Sequence, residues 1–241
     1  GEKGDVAGDP ADAALLLDVI SGFDSRDPWA LAPVRDAEAA IGQAITGKRI
    51  AVSRDLGYVD VDPEVAAAVT AAAEVFAGLG AHVEETDPGF TDPIEAFETL
   101  WFSGAAKSLE HLGPEQRARM DPGLVEIAEQ GARCTAVEYL RAMAVRNEMG
   151  IRMGEFHARH DLLLTPTLPI TAFEIGVEVP SGWPHRRWTT WTPFTYPFNM
   201  TQQPAASVPC GFSRAGLPIG LQIVGPRHAD AAALAAAHAY Q

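Results

Sequence analysis

Residues 49–86 contain a strand, a helix and a second strand in succession, and this order limits the fold more than any other feature of the sequence. Residues 49–53 and 81–86 have the apolar content of short strands. Between them, Asp62 and Pro63 predict a helix start, because the carboxylate accepts from free backbone N–H groups and proline suits the first helical position. Two strands joined in this way form a parallel pair with a right-handed crossover. The sequence therefore predicts an α/β fold.

Capping residues predict three further helices. Each begins at a side chain that accepts hydrogen bonds from the first helical turn, and two of them carry a glutamate at the third helical position, the pattern of a capping box. The predicted starts are Asp9 with Pro10, Asp92 with Glu95, and Thr135 with Glu138, the last of which opens a long helix through Phe156.

The C-terminal third combines strands with a long loop. Residues 161–165, 207–212 and 217–224 predict strands, and the alanine-rich residues 229–240 predict a closing helix. Residues 166–204 are rich in Pro, Thr and Trp and have no sustained period, which predicts a long ordered loop. Loops of this length in a compact domain are usually functional. With no internal repeat or linker, the chain is expected to form one α/β unit.

Composition excludes several classes of partner. The 241 residues include 18 Lys and Arg against 32 Asp and Glu, a net charge of −14. Nucleic acids and anionic membranes call for clustered basic residues, so neither is predicted as a partner. The two cysteines form no disulfide framework, which favours a reducing compartment. No apolar run approaches the roughly 20 residues of a membrane span, and the predicted location is cytoplasmic.

Two motif-like segments have simpler explanations than ligand binding. Residues 42–49 resemble a phosphate loop, but they end a helix and precede a strand, and Arg49 stands where a magnesium-binding hydroxyl belongs. We interpret them as a helix end and a strand entry. His157 and His160 have the spacing to share a metal, but no third strong ligand with recognisable spacing occurs. The sequence predicts no metal and no other cofactor.

Aromatic residues cluster inside the long loop and leave two interpretations open. They either pack as core beneath the loop or form the wall of a substrate pocket, because pockets are mostly apolar with a few placed polar groups. The cluster consists of Trp183, Trp188, Trp191, Phe194, Tyr196 and Phe198.

Several segments, taken in order, resemble the amidase-signature family. Each is weak alone, but the ordered set is specific and spans the chain from about residue 9 to its end. The segments are DAALLLDVISG at 12–22, RDP at 26–28, RIAVS at 49–53, DPEV at 62–65, DLLLTPTLP at 161–169, PFNMTQQPAASVPCGF at 197–212 and GLPIGLQIVGP at 216–226.

The resemblance implies a mixed β-sheet wrapped by helices and the hydrolysis of carboxylic amides. Members of the family use a nucleophilic Ser, a second Ser and a Lys, because a hydroxyl is a weak nucleophile until a base takes its proton. In the family all three precede the helix that begins here at Asp9. Residues 1–8 contain no Ser, and Lys3, Lys48 and Lys107 lie in none of the required contexts. No catalytic residue is therefore assigned to this chain.

What the resemblance does imply for this chain is a set of substrate-binding residues. They are Trp101, Phe102, Arg146, Thr165, Thr167, Phe194, Tyr196, Phe198 and Asn199.

Arg146 and Thr192 bear on the subgroup of the family, and Gln202 departs from the family pattern. Arg146 matches a basic group with which the A subunits of amidotransferases grip the substrate's carboxylate. Those subunits carry an Asp where this chain has Thr192, which favours a general amidase over an amidotransferase. Gln202 stands where the family usually carries Gly, a residue suited to a positive φ or a close approach. It either adapts the turn or extends toward the pocket.

The expected function follows from these points. Residues 9–241 are predicted to form the C-terminal part of a single amidase domain. Residues 1–8 do not match the family pattern and are predicted to be a leader or a junction. The expected partners are a small amide and the N-terminal half of the same enzyme, with self-association as an alternative. The competing functions are a non-catalytic binding module and part of the A subunit of an amidotransferase. We also expect unpaired strand edges and uncovered apolar faces at residues 162–164 and 219–224.

Overall fold

A computed structural model describes residues 7–28, 30 and 37–241 of the chain. Its helices and strands follow one another in this order: α1 (Pro10–Ile20), α2 (Ala37–Ala40), β1 (Arg49–Val52), α3 (Pro63–Gly78), β2 (His82–Glu85), α4 (Ile94–Leu109), α5 (Pro114–Arg117), α6 (Pro122–Gly131), α7 (Ala136–His157), β3 (Leu162–Pro166), a 3₁₀ turn (Trp188–Trp191), α8 (Tyr196–Thr201), β4 (Ala205–Phe212), β5 (Pro218–Val224) and α9 (Asp230–Tyr240).

The strands form one mixed sheet in the order β2-β1-β3-β5-β4. β1 pairs in parallel with both β2 and β3, which confirms the predicted strand–helix–strand unit. β5 then pairs antiparallel with β3 on one side and with β4 on the other. The predicted α/β class with a mixed sheet wrapped by helices is therefore confirmed.

Helices cover both faces of this sheet. On one face, α3 and α9 pack against Leu162 and Leu164 of β3. On the opposite face, α4, α7 and α8 pack against Leu163, because successive strand residues point to opposite sides. All three leucines are at most 2% exposed. The expectation that residues 162–164 and 219–224 would be uncovered is wrong, since the chain buries both faces with its own helices.

Helix starts follow local sequence with one exception. The carboxylates of Asp9 and Asp62 accept from the first turns of α1 and α3, and Thr135 and Glu138 form the predicted capping box of α7. At α4 the predicted capping box is absent, and the helix begins at Ile94 without a side-chain cap at the N-cap position. Asp92 Oδ1 accepts from the Ile94 N–H at 3.0 Å, and the same oxygen also accepts from a distant tyrosine hydroxyl.

The long loop predicted at residues 166–204 contains more structure than its sequence suggested. The 3₁₀ turn and α8 both lie within it, and Tyr196, Phe198 and Met200 of α8 are buried against the sheet. Residues 42–48 lie between α2 and β1, as the helix-end interpretation required. No helix among the described residues has both the length and the apolar composition needed to cross a bilayer.

Candidate functional site

The carboxyl ends of β1 and β3 lie side by side at one edge of the sheet, where the backbone N–H of Ser53 donates to the carbonyl of Leu164 at 2.9 Å. The chain leaves these two strands in opposite directions. β1 continues into α3 on one face, and β3 continues toward α8 on the other. In open α/β sheets, ligands bind in the crevice formed at such a reversal. Thr165 and Thr167 lie at this end of β3.

A buried amide joins β3, β5 and the long loop. Gln222 stands directly across from Thr165 in the β3–β5 register. Its Nε2 donates to Thr165 Oγ1 at 3.0 Å and to the carbonyl of Phe194 at 2.8 Å. Because only the NH₂ group can donate to a carbonyl, the second bond fixes the orientation of the amide. The loop is thereby anchored to the sheet at Phe194, whose ring is fully buried.

Two hydroxyls meet beside this amide on the same face of the sheet. Thr167 Oγ1 and Ser207 Oγ are 2.7 Å apart, one at the end of β3 and the other on β4. β5 lies between them, and the residue that it places there is Gly220. A Cβ on Gly220 would stand 2.7 Å from the first oxygen and 3.1 Å from the second. The hydroxyl pair therefore depends on a missing side chain.

An aromatic stack connects α4 with α8. Phe97 stacks on Tyr196 with ring centroids 5.0 Å apart and on Trp101 at 5.7 Å. Tyr196 is buried, and its hydroxyl donates to Asp92 Oδ1 at 2.6 Å. Burial and the Asp92 carboxylate together raise the pKa of Tyr196 well above its ordinary value. Trp101 ends the stack at the surface, 46% exposed.

Phe102 contacts a different part of the molecule from its neighbour Trp101. It is buried, and the Arg187 guanidinium lies over its ring at 5.0 Å. Arg187 also donates to Glu98 at 3.1 Å and to Gln130 of α6 at 2.6 Å. This cluster ties the start of the 3₁₀ turn to α4 and α6.

Arg146 of α7 contacts the end of α8. Its Nε donates to the carbonyl of Met200 at 2.7 Å, and within the described part of the chain no carboxylate pairs with it. Phe198 is buried on the same helix, whereas Asn199 is exposed. The guanidinium therefore holds α8 against α7 through one nitrogen.

Gln202 ends α8 in the left-handed conformation, with φ 62° and ψ 36°. Its side chain extends to Arg227, whose Nη2 donates to Gln202 Oε1 at 2.7 Å. The residue thus adapts the turn, the first of the two alternatives left open by the sequence. Thr192 donates from Oγ1 to the carbonyl of Thr189 at 2.9 Å, within the 3₁₀ turn.

The two histidines near the end of α7 are held by protein groups. His157 Nδ1 lies 3.1 Å from the carbonyl of His160, and burial lowers the pKa of His157. His160 contacts the carbonyl of Phe156 through Nδ1 and the Glu84 carboxylate through Nε2, at 3.2 and 2.5 Å. Within residues 7–28, 30 and 37–241, no group of three or more His, Cys, Asp or Glu is placed to hold a metal ion.

A groove of about 580 Å³ lies elsewhere, between the start of α4 and the outer side of α7. Residues such as Glu95, Arg141 and Glu148 line it, and none of the residues implied by the resemblance does. Its charged groups are solvated or paired, as Glu148 is with Arg152 at 2.8 Å. We place the candidate site at the carboxyl end of β3 because polar groups converge there.

The structure brings the implied site residues together in part. Thr165 and Phe194 are joined through Gln222, and Thr167 contacts Ser207 beside them, while Trp101 and Tyr196 are joined through Phe97. Phe102 and Asn199 lie apart from both groups, and the role of the whole set in binding stays a prediction. Sequence reasoning missed Ser207, Gly220 and Gln222. Alternation within each strand could not reveal them, because the register of β3, β5 and β4 decides which residues meet on one face.

Comparisons with known proteins agree with this architecture. The sequence model of the family described as Amidase matches residues 3–234. An acylamidase of Rhodococcus erythropolis is 37% identical over 93% of this chain and 48% of its own length. The A subunit of glutamyl-tRNA(Gln) amidotransferase from Moorella thermoacetica is 32% identical over 99% of this chain and 53% of its own length.

Solved structures agree as well. A bacterial aryl acylamidase belonging to the amidase-signature enzymes matches with a TM-score of 0.84 and 31% identity, over 96% of this chain and 51% of that protein. The chain thus spans about half the length of the relatives that it matches. The fold, the ordered segments and these matches place the chain in the amidase family.

Proposed function

We propose that residues 9–241 form the C-terminal part of a single amidase domain, and that the complete enzyme hydrolyses a carboxylic amide to an acid and ammonia or an amine. The observation that carries this proposal is the family match over residues 3–234 in a chain half as long as its relatives. The proposed nucleophilic Ser, second Ser and Lys belong to the other half. This chain supplies walls of the substrate pocket.

The placement of polar groups supports that role. Thr165 and Thr167 lie at the carboxyl end of β3, beside the reversal of chain direction where ligands bind in such sheets. Gln222 donates to the carbonyl of Phe194 and so holds the loop against this end of the sheet. A wall built on strands holds its groups more accurately than one built on mobile loops.

The two outer strands of the described sheet differ in a way that supports the proposed partner. β2 presents His82, Glu84 and Glu85, and charged residues on an edge strand prevent it from pairing with another strand. β4 carries no charged residue from Ala205 to Phe212, and Phe212 is 73% exposed. We propose that the N-terminal half of the enzyme joins the sheet at β4, with self-association along the same edge as the alternative. Cys134 and Cys210 are free thiols, which fits the proposed cytoplasmic location.

A competing proposal is that the chain is part of an amidotransferase A subunit, because the relative from Moorella thermoacetica is such a subunit. That relative is 32% identical over nearly the whole chain, close to the 37% of the acylamidase. Thr192 in place of the expected Asp favours the amidase, because the Thr192 hydroxyl is bonded to the backbone of its own turn and offers no charge to a substrate ammonium group.

The test compares this 241-residue chain with the full-length protein that its gene encodes. Both are assayed on simple aryl amides, with release of the arylamine as the readout, and on glutamine, with release of ammonia as the readout. We expect the full-length protein to hydrolyse aryl amides and the 241-residue chain alone to be inactive. Sustained turnover by the chain alone, dependent on a residue within it, would contradict the proposal. A gene that begins at residue 1 and gives an inactive product would favour the non-catalytic binding module.

A further inference from the structure

We propose that the hydroxyls of Thr167 and Ser207 form a substrate-contact pair that binds the amide group, with Ser207 as a specificity-determining residue. The inference rests on the proposed amidase function and adds to it a residue on β4 and the gap at Gly220. Three features support it: the geometry of the pair, the hydrogen-bonding capacity that remains free on its two hydroxyls, and its position in the sheet.

The geometry is built by three neighbouring strands. Ser207 of β4 and Thr165 of β3 both stand across from Gln222 of β5, which puts all three in one row on one face. One row nearer the strand end, Thr167 reaches back across Gly220 to Ser207, with the two oxygens 2.7 Å apart. Gln222 and Thr165 are buried beneath, whereas Ser207 is exposed. The pair therefore lies where the polar row of Thr165, Gln222 and Ser207 reaches the surface, at Ser207.

The hydroxyls of this pair are not used by the backbone. Elsewhere in the described chain, Thr70, Thr99 and Thr192 donate to carbonyl oxygens of their own helix or turn. Among the residues that the structure describes, no group other than its partner bonds to the hydroxyl of Thr167 or of Ser207. Two hydroxyls that share one bond keep one free hydrogen and several lone pairs.

That remaining capacity matches an amide group. An amide presents a carbonyl oxygen that accepts and an N–H group that donates, and the pair can donate to the first while it accepts from the second. Either oxygen of the pair can be the internal donor, so its polarity can adapt to the orientation of the ligand. Gly220 allows the two oxygens to meet, because a Cβ there would stand 2.7 Å from Thr167 Oγ1 and 3.1 Å from Ser207 Oγ.

The position of the pair also suits a contact made in the complete enzyme. Ser207 lies on β4, the uncharged outer strand at which we propose that the other half joins, and Thr167 lies at the carboxyl end of β3. Groups at this corner of the sheet face both the proposed pocket and the proposed partner.

The test uses the full-length protein that the gene encodes and a matched pair of substrates, an aryl amide and the ester of the same acid. The ester keeps the carbonyl oxygen but has no N–H group. The variants are Ser207→Ala, Ser207→Thr and Gly220→Ala, and Thr70→Ala serves as the control because it removes an exposed hydroxyl on α3. Melting temperature is measured for each variant.

We expect Ser207→Ala to lower kcat/KM for the amide by about five- to tenfold, the effect of one hydrogen bond between neutral groups. The ester should lose less, so that the amide-to-ester ratio falls while the melting temperature stays within about 2 °C. Ser207→Thr should restore the ratio. Gly220→Ala should lower it, because the methyl group displaces both hydroxyls. Thr70→Ala should match the wild type.

The outcomes separate the two proposals. A wild-type product that hydrolyses neither substrate overturns the amidase function and the role of the pair with it. An active wild type whose amide-to-ester ratio is unchanged in Ser207→Ala overturns the substrate-contact pair alone. A loss that is equal for both substrates and follows a lowered melting temperature also overturns it, because it shows a structural role.

Discussion

Gly131, the last residue of α6, permits the closest backbone approach of any glycine in the described part of the chain. A Cβ placed on it would stand 1.9 Å from the carbonyl oxygen of Phe102 and 2.1 Å from its carbonyl carbon. Both atoms belong to the backbone of α4, so no side-chain rotation can make room. Gly154 of α7 offers the matched control, since a Cβ there would meet nothing within 4 Å. The same substitution to alanine should therefore act in opposite directions at the two sites.

The magnitudes follow from the distances. Carbon and oxygen approach each other to about 3.3 Å in ordinary contacts, so Gly131→Ala must separate α6 from α4 by more than about 1 Å. Overpacking of this kind costs about 1–3 kcal/mol, and we expect the upper end because the obstacle is main chain. Gly154→Ala should instead stabilise by about 0.5–1 kcal/mol, since alanine is the better residue in a helix interior.

Thermal unfolding of the 241-residue chain, followed by circular dichroism, measures both changes. For a domain of this size, 1 kcal/mol shifts the melting temperature by about 2–4 °C. We expect a fall of about 6–12 °C for Gly131→Ala and a rise of about 1–4 °C for Gly154→Ala. A fall of less than about 2 °C for Gly131→Ala would refute the reasoning, because it would mean that α4 and α6 do not pack as closely as described.

Three further predictions concern single contacts. Replacing Gln222 by Leu should destabilise the chain by about 2–4 kcal/mol in urea unfolding, because it leaves the buried Phe194 carbonyl and Thr165 hydroxyl without their donor; a loss below about 1 kcal/mol would contradict this. Gln202→Gly should be more stable than Gln202→Ala by about 1 kcal/mol, since alanine keeps the left-handed strain and both lose the contact with Arg227; equal stabilities would argue against strain at that turn. Hydrogen bonds from Arg49 lower the pKa of Asp161, so the folded state holds this carboxylate ionised to lower pH than the unfolded chain does. The stabilisation from this ion pair is complete above the pKa of Asp161 in the unfolded chain, about 3.9, and is lost as the pH falls through its lower pKa in the folded state. Asp161→Asn should therefore make the melting temperature depend less on pH below about pH 4.

Local chemistry accounts for the parts of the fold that the sequence predicted. Asp9, Asp62 and Thr135 cap helices through bonds to residues at most three positions away, so their effect is visible in a short window. Asp92 shows the same local pattern and bonds to the Ile94 N–H, but the same oxygen also accepts from the Tyr196 hydroxyl across 104 positions. The local pattern placed the start of α4 one residue early and predicted a capping box that is absent, and the tertiary contact of its aspartate depended on a donor far away in the sequence.

Tertiary contacts explain what the sequence did not show. α8 has six residues and would be marginal alone, and it forms because Tyr196 and Phe198 are buried against the sheet. Gln222 and Ser207 lie within a recognised family segment, but their partners depend on the register of three strands. The resemblance predicts Thr165 and Thr167 as site residues, while the hydroxyl of Ser207 and the amide of Gln222 that contact them became visible only through that register.

If the proposed N-terminal half exists, the contrast between the covered central strands and the outer strand β4 indicates where it would join this chain. Because α3 and α9 pack on one face and α4, α7 and α8 on the other, the apolar residues of β3 and β5 are already covered within this chain. Within the described residues, no strand pairs with the outer side of β4, and Ser207 and Phe212 are exposed on that strand. A partner that adds strands there would extend the sheet without disturbing either core. The same addition would bring its own side chains to the hydroxyl pair of Thr167 and Ser207, so sheet completion and assembly of the substrate pocket would be a single event.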